Sequence, residues 1–196
     1  MTSEEYVFYF VLGVALFAAG HQCYFWCQRY PLLPPRVFRP AIDELIPYRP
    51  EWVWIYSIFY YAVIVAVFFI VDSEREFVQI ASSYALLLAA QMLFFLAFPV
   101  ATPRDWRKRN LRRTWSEKLL ALLQKADMRS NSFPSMHTST ATLTALHLYP
   151  LFGELVLAFP VLIGLSCLFT KQHYVMDIPT GASLGYAVFI LSRMGA

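Results

Sequence analysis

The sequence predicts an all-α fold: an integral membrane bundle of six transmembrane helices, with a basic amphipathic interfacial helix between spans three and four. Three observations carry that prediction. Hydrophobic residues make up 58% of the 196 and aromatics 17%, and the mean hydropathy is +0.48. Charged residues are only 15%, well under the roughly 25% of soluble domains. The apolar residues also gather in six runs, several near the ~20 residues that a helix rising ~1.5 Å per residue needs to cross a bilayer. The length suits one membrane-embedded domain, residues 1–196. Glu4 and Glu5 precede the first run, where a cleavable signal would carry positive charge, so that run is expected to be retained.

The first span is predicted over Tyr6 to Trp26, with His21 and Gln22 near its far end. Trp52 to Val71 is an uncharged second span, and Phe77 to Ala101 a third whose only amides are Gln79 and Gln91. Phe133 to Phe152 is the fourth, ended near Pro150. Leu155 to Phe169 is short and carries Pro160, which is expected to kink it. Val175 to Ser192 is the sixth, interrupted early by Asp177 and Pro179. Trp52, Trp54, Tyr56 and Tyr149 lie near span ends, as interfacial aromatic belts do.

Two connections are long. Arg29 to Glu51 is rich in proline and contains "DELIPYRPEW". Thr102 to Ser132 is basic, with Arg107, Lys108, Arg109, Arg112 and Arg113 in quick succession. Within it Thr114 and Glu117 have capping-box spacing, and Trp115, Leu119, Leu122 and Leu123 fall on one helical face. Thr114 to Ala126 is therefore read as a helix lying on the membrane surface. The three cysteines, Cys23, Cys27 and Cys167, are read as small packing residues, since the first two have too few ligands beside them for a metal site.

Six spans put connections one-two, three-four and five-six on one side of the membrane. His137 opens span four, His173 opens span six, and Arg104 follows span three. Topology alone thus gathers Arg104, Ser135, His137, Lys171, His173 and Asp177 at one face. Asp177 lies four residues after His173, close enough on a helix to accept a hydrogen bond from one imidazole nitrogen. That fixes the tautomer and leaves the other nitrogen free as nucleophile or base. Ser135 and the first N–H groups of span four point at an anion-binding position, and Pro134 needs no partner there. A protonated His137 would supply a proton to a leaving oxygen. Two histidines, cations and free N–H groups suit a phosphoryl group better than a carbonyl, because charge spreads over phosphoryl oxygens in the transition state. His21 and His147, without a carboxylate partner in sequence, are read as structural, and the hydroxyls of Thr138 to Thr144 as helix-packing groups.

"PSMH", Pro134 to His137, followed by Ser166-x6-His173-Tyr174-x2-Asp177, resembles the type 2 phosphatidic acid phosphatase superfamily, whose common motifs are Lys-x6-Arg-Pro, Pro-Ser-Gly-His and Ser-Arg-x5-His-x3-Asp. "TKQHYVMD" and "IPYRPEWVWIY" look most like its branch of inositol-phosphotransferase-like and sphingomyelin-synthase-like members. The resemblance runs from about Asp43 to Gly185. It implies that His173 is the nucleophile and forms a phosphohistidine, that Asp177 orients it, that His137 protonates the leaving group, and that Ser135 binds a phosphoryl oxygen. It implies no metal and no other cofactor. The departures are specific. Met136, counted with the substrate-binding residues, replaces the family's glycine. Cys167 stands where the third motif has arginine. "FPVATPRDW" offers Pro103-Arg104 in place of Arg-Pro, with Ala97 at the lysine position. Arg104 is expected to keep its role, and Lys171 to compensate for Cys167.

The expected protein is thus a lipid phosphatase, with head-group transfer to diacylglycerol, ceramide or an inositol lipid as the alternative. The phosphatase is preferred because the chain has no extra domain for a second substrate. A non-catalytic binder of anionic lipids would explain the basic connection but not an oriented imidazole. A transporter would place its ionisable groups near mid-bilayer. Expected partners are a lipid phosphate and membrane lipids, with no nucleic acid; self-association is left open. A bacterial inner membrane is the expected location. All sixteen Lys and Arg except Arg75 and Arg193 fall on the motif side, so that face is expected to be cytoplasmic.

Overall fold

The computed structural model describes residues 2–108 and 111–194; Arg109 of the basic connection lies outside them. It is all-helical, 76% helix. Beyond helices, the described residues hold one isolated parallel bridge, between Arg36 and Val100.

Helix α1 spans Ser3–Arg29. Thr2 caps it by accepting the Glu5 N–H at 3.2 Å, while the Glu5 carboxylate accepts the Thr2 N–H at 2.8 Å, a reciprocal capping box. After the short α2, Ala41–Leu45, comes α3, Pro50–Ile70. This second apolar run is no uniform α-helix. It passes from a 3-10 turn into a π-helical stretch at Ile55–Phe59, then α-helix at Tyr60–Ala66, then 3-10 again. Helix α4, Glu74–Ala97, starts earlier than the hydropathy predicts because Ser73 caps it by accepting the Glu76 N–H. It also ends short of Ala101. Pro99 follows, and the residue before a proline is pushed out of the α region. The chain turns extended there, and Val100 pairs with Arg36.

Helices α5, Arg104–Lys108, and α6, Trp115–Ala126, occupy the second long connection. The Thr114–Glu117 capping box forms as the spacing predicts. Helix α6 leaves Trp115 and Leu122 exposed, and it buries Leu120, which the predicted apolar face did not include. Helix α7 runs over Met136–Phe152 and α8 over Ala158–Phe169, joined by a 3-10 stretch at Gly153–Leu157. Gly153 takes the left-handed φ of 56° at the junction, where glycine pays no Cβ penalty, and α8 packs back along α7. The expected kink at Pro160 is not needed. Pro160 is the third residue of α8, inside the first turn, whose N–H groups have no intrahelical partner to lose. For the same reason Asp177 and Pro179 open the last helix instead of interrupting it: α9 spans Asp177–Met194.

Among the described residues, four stretches are long and apolar enough to cross a membrane: Ser3–Arg29, Pro50–Ile70, Glu74–Ala97 and Met136–Phe169. The chain is an integral membrane protein. Helix α7 is its hub, packed against α8, α9, α4 and the middle of α3. It buries small and hydroxylated side chains, among them Thr138, Ser139, Ala141, Thr144 and Ala145. Helix α1 is peripheral and buries only Gly13, Cys27 and Gln28. The two histidines read as structural each find a partner: His147 Nε2 lies 2.8 Å from the Ser83 hydroxyl, and His21 Nε2 lies 3.1 Å from the Tyr61 hydroxyl.

Candidate active site

The site lies where the start of α7 meets the loop between α8 and α9. The Ser135 N–H donates to the Asp177 carbonyl at 3.0 Å, tying the first residues of α7 and α9 together. The Ser135 hydroxyl accepts the Thr138 N–H at 3.3 Å, so Ser135 is the N-cap of α7 and is fully buried. Two glycines one turn apart let the helices approach this closely. A Cβ on Gly181 would fall 2.5 Å from the Ser135 carbonyl oxygen, and one on Gly185 would collide with the Ser139 carbonyl. This small-xxx-small pair was readable in the sequence and marks a close helix crossing.

His173 lies in the loop, ahead of α9, so its contact with Asp177 is not the helical i,i+4 pairing that the spacing predicts. A turn makes it: the Asp177 N–H donates to the Tyr174 carbonyl at 3.1 Å, and Asp177 Oδ2 accepts the Tyr174 N–H at 2.9 Å. The same Oδ2 lies 3.2 Å from His173 Nδ1, which also lies 2.9 Å from the Ser132 carbonyl oxygen. Both neighbours of Nδ1 are acceptors, so Nδ1 carries the proton and Nε2 keeps the lone pair. His173 and Asp177 are both buried.

His137, the second residue of α7, faces His173 with ring centroids 5.7 Å apart. It stacks on Tyr56 at 4.3 Å and lies 5.0 Å from the Tyr60 ring. Tyr56 comes from the π-helical stretch of α3 and Tyr60 from the first residue of the α-helix that follows it, and π-helical bulges often sit at functional sites. His137 and Met136 also line an apolar cavity of about 400 Å³ between α1, α3 and α4.

The two remaining cations lie differently. Lys171 is buried; its ammonium donates to the Asp43 carbonyl at 2.5 Å and sits 5.0 Å over the Trp106 ring. Arg104 is exposed and lines a different recess, of about 520 Å³, with Arg39 and Arg129. Among the described residues, none that lines that recess also lines the apolar cavity.

Sequence reasoning missed the residues that hold the histidine loop. Asp43 Oδ1 accepts the Val175 N–H at 2.7 Å, and burial raises its carboxyl above the ordinary carboxylate range. The Tyr174 hydroxyl sits against the Phe38 and Ala101 carbonyls at 3.0 and 2.9 Å. Burial pushes that phenol up to about 12, so it stays a neutral donor. On the other side of the site, Gln28 donates to Asp127 and to the Ser130 carbonyl, and Arg107 bridges to Asp127, fixing the segment that delivers Ser132 to His173. Arg129, Asn131 and Lys171 all have positive φ, at 71°, 63° and 59°, and such strained positions gather at functional sites.

Two facing histidines beside a helix N-terminus, on a membrane bundle, are the arrangement expected for phosphoryl chemistry, and a family model for the PAP2 superfamily matches residues 51–191. The chain belongs to the PAP2 superfamily. That match covers α3 to α9 and both histidine motifs, and membership points to activity of the phosphatase or phosphotransferase type. No curated protein and no solved structure matches it. As a PAP2 member the chain departs most visibly at Cys167. Its thiol sulfur and one nitrogen each of His137 and His173 lie within 4.8 Å of one another, a ligand set that sequence spacing did not reveal.

Proposed function

We propose that this PAP2 protein is a six-span membrane lipid phosphatase that hydrolyses a phosphomonoester or diphosphate through a phosphohistidine on His173. The observation that carries the reading is the state of that imidazole: two acceptors hold the Nδ1 proton and leave Nε2 its lone pair, with the His137 ring 5.7 Å away, centroid to centroid. Nε2 attacks phosphorus, the bond to the leaving oxygen breaks, and His137 gives that oxygen a proton. Asp177 and the Ser132 carbonyl stabilise the positive charge on His173 as the bond forms. Water then attacks the phosphohistidine, with His137 taking its proton, and releases phosphate. Ser135 and the first N–H groups of α7 hold phosphoryl oxygens, and Met136 lies beside them. The chemistry needs no metal. The apolar cavity beside His137 suits an acyl or prenyl chain.

In this reading α8 and α9 are the last two of six spans, α6 lies in the interface on Trp115 and Leu122, and the site sits at one membrane face. The cation bias supports a cytoplasmic orientation of that face, and the membrane proposed is a bacterial inner membrane. The test uses purified protein in lipid nanodiscs with phosphatidic acid, an isoprenyl diphosphate or a phosphatidylglycerophosphate. Free phosphate is measured with and without diacylglycerol or ceramide. His173→Ala is expected to abolish release, and Asp177→Asn to lower it by roughly 10²–10⁴-fold. Turnover of His173→Ala within tenfold of the parent would refute the mechanism. Phosphate release that vanishes in favour of a new phospholipid when an alcohol acceptor is added would make the protein a head-group transferase.

A further inference from the structure

Cys167 is fully buried on α8 and is a free thiol, as are Cys23 and Cys27. Its sulfur and one nitrogen from each of His137 and His173 lie within 4.8 Å of one another. We infer that His137, Cys167 and His173 form a binding site for a borderline-soft divalent cation of the zinc class, and that filling it inhibits the enzyme by occupying the nucleophilic imidazole. The inhibition arm rests on the function proposed above; the binding arm rests on the donor set alone.

The donors decide the class of ion. Two imidazoles and a thiolate suit zinc and its neighbours, whereas magnesium and calcium take oxygen ligands. Bonds of about 2.1 Å to nitrogen and 2.3 Å to sulfur put tetrahedral ligand atoms roughly 3.3–3.6 Å apart. The three atoms, at separations up to 4.8 Å, reach that spacing by side-chain rotations of an ångström or so each. The outer shell is already built. His173 Nδ1–H is held by Asp177 and the Ser132 carbonyl, the arrangement that fixes a ligating histidine and raises its basicity. Three protein ligands leave the fourth position open, and His137 also lines the 400 Å³ cavity beside the site. An arginine at position 167, as the superfamily motif has, supplies no ligand, so the site is a consequence of the cysteine.

The proton balance is simple. The two imidazole nitrogens donate lone pairs, the Cys167 thiol loses one proton to solvent, and the ion loses waters. Binding therefore tightens as pH rises. With Nε2 of His173 engaged, no lone pair is left to attack phosphorus. Substrate and metal compete for one nitrogen.

The experiment is a Co²⁺ titration of the purified full-length protein in nanodiscs, followed by Zn²⁺ displacement, with phosphate release measured in parallel against Zn²⁺. The expected result is one equivalent of tetrahedral Co²⁺–thiolate absorbance that Zn²⁺ bleaches. Cys167→Ser should weaken binding by more than the roughly 10–100-fold that loss of an outer-shell partner costs. The Zn²⁺ concentration that halves each variant's own turnover should rise to the same degree. His137→Ala, which leaves the thiol in place, should also lose the bands, and it keeps the test decisive if Cys167→Ser unfolds. The Cys23→Ser/Cys27→Ser double variant should keep them. Bands that survive Cys167→Ser, or fail to form in the parent, would overturn the proposal. Bands without any lipid-phosphate turnover would support the metal site and overturn the function proposed above. Turnover unaffected by saturating Zn²⁺, with the bands present, would overturn the inhibition.

Discussion

Gly181→Ala tests whether the helix crossing sets the geometry of the site. The added Cβ would lie 2.5 Å from the Ser135 carbonyl oxygen and 3.2 Å from the Ser135 carbonyl carbon. Both are parts of the α7 N-terminus, and backbone cannot rotate away as a flexible side chain can. Restoring ordinary contact at 3.4 Å requires α9 to stand off α7 by about 0.9 Å. If α9 moves as a rod, the 3.0 Å bond from the Ser135 N–H to the Asp177 carbonyl lengthens to about 3.9 Å, past the usual limit. Overpacking costs ~1–3 kcal/mol and the lost hydrogen bond ~0.5–1.5 kcal/mol, so the variant should melt lower but remain folded. The larger effect should be on turnover. Asp177 rides on α9 and Ser135 on α7, and a misplacement of ~1 Å between catalytic groups can cost ~10²-fold. The assay is the initial rate of phosphate release, with a thermal melt of the same nanodisc sample. Gly20→Ala is the control, because a Cβ there meets only Leu88 Cδ2 at 3.6 Å, and it should behave as the parent. A Gly181→Ala variant within threefold of the parent rate and with an unchanged melt would refute the reasoning.

His137→Ala should retain far more activity on a nitrophenyl phosphate, whose leaving group needs little protonation, than on a lipid phosphate; equal losses on both would make His137 a phosphate ligand instead of a general acid. A cysteine at the exposed Leu111, in a background without Cys23, Cys27 and Cys167, should resist a membrane-impermeant maleimide in intact cells and react after lysis. Ready labelling of intact cells would reverse the orientation drawn from the cation bias. Asp43→Asn probes the clamp on the histidine loop. Burial raises the folded-state pKa of Asp43, so its contribution to stability falls as pH climbs from the unfolded carboxyl value through the folded one. The Asn variant keeps an acceptor for the Val175 N–H and should gain melting temperature relative to the parent across that window. A constant difference between the two at all pH values would remove Asp43 as the cause.

Much of the molecule is local, and that part was legible. Apolar runs specify helices and bilayer affinity wherever they sit, so α1, α4 and α7 appear near their predicted places. The Thr114–Glu117 cap acts within one turn and forms as its spacing predicts. The His173–Asp177 pair is separated by only three residues, so almost any compact path brings them together. Even there the local rule picked the wrong conformation, because the Asp177 carboxylate caps a turn at Tyr174 instead of riding one turn along a helix.

Contacts between residues far apart in the chain depended on packing. Lys171 was expected to face substrate, but its ammonium is drawn to the Asp43 carbonyl, 128 residues away, because a buried ammonium needs a partner within reach. Gln28 meets Asp127 across 99 residues. Hydropathy reports only that 52–71 is apolar. The π-helical register that sets Tyr56 against His137 comes from α3 fitting the surface of α7 and α8. Cys167 read as packing while its neighbours in sequence were Ser166 and Leu168. Only the fold, by laying α8 antiparallel on α7 and turning His173 back beneath both, puts that sulfur beside two imidazoles. Local free energies chose the helices, and the close approach allowed by Gly181 and Gly185 decided which side chains share the site.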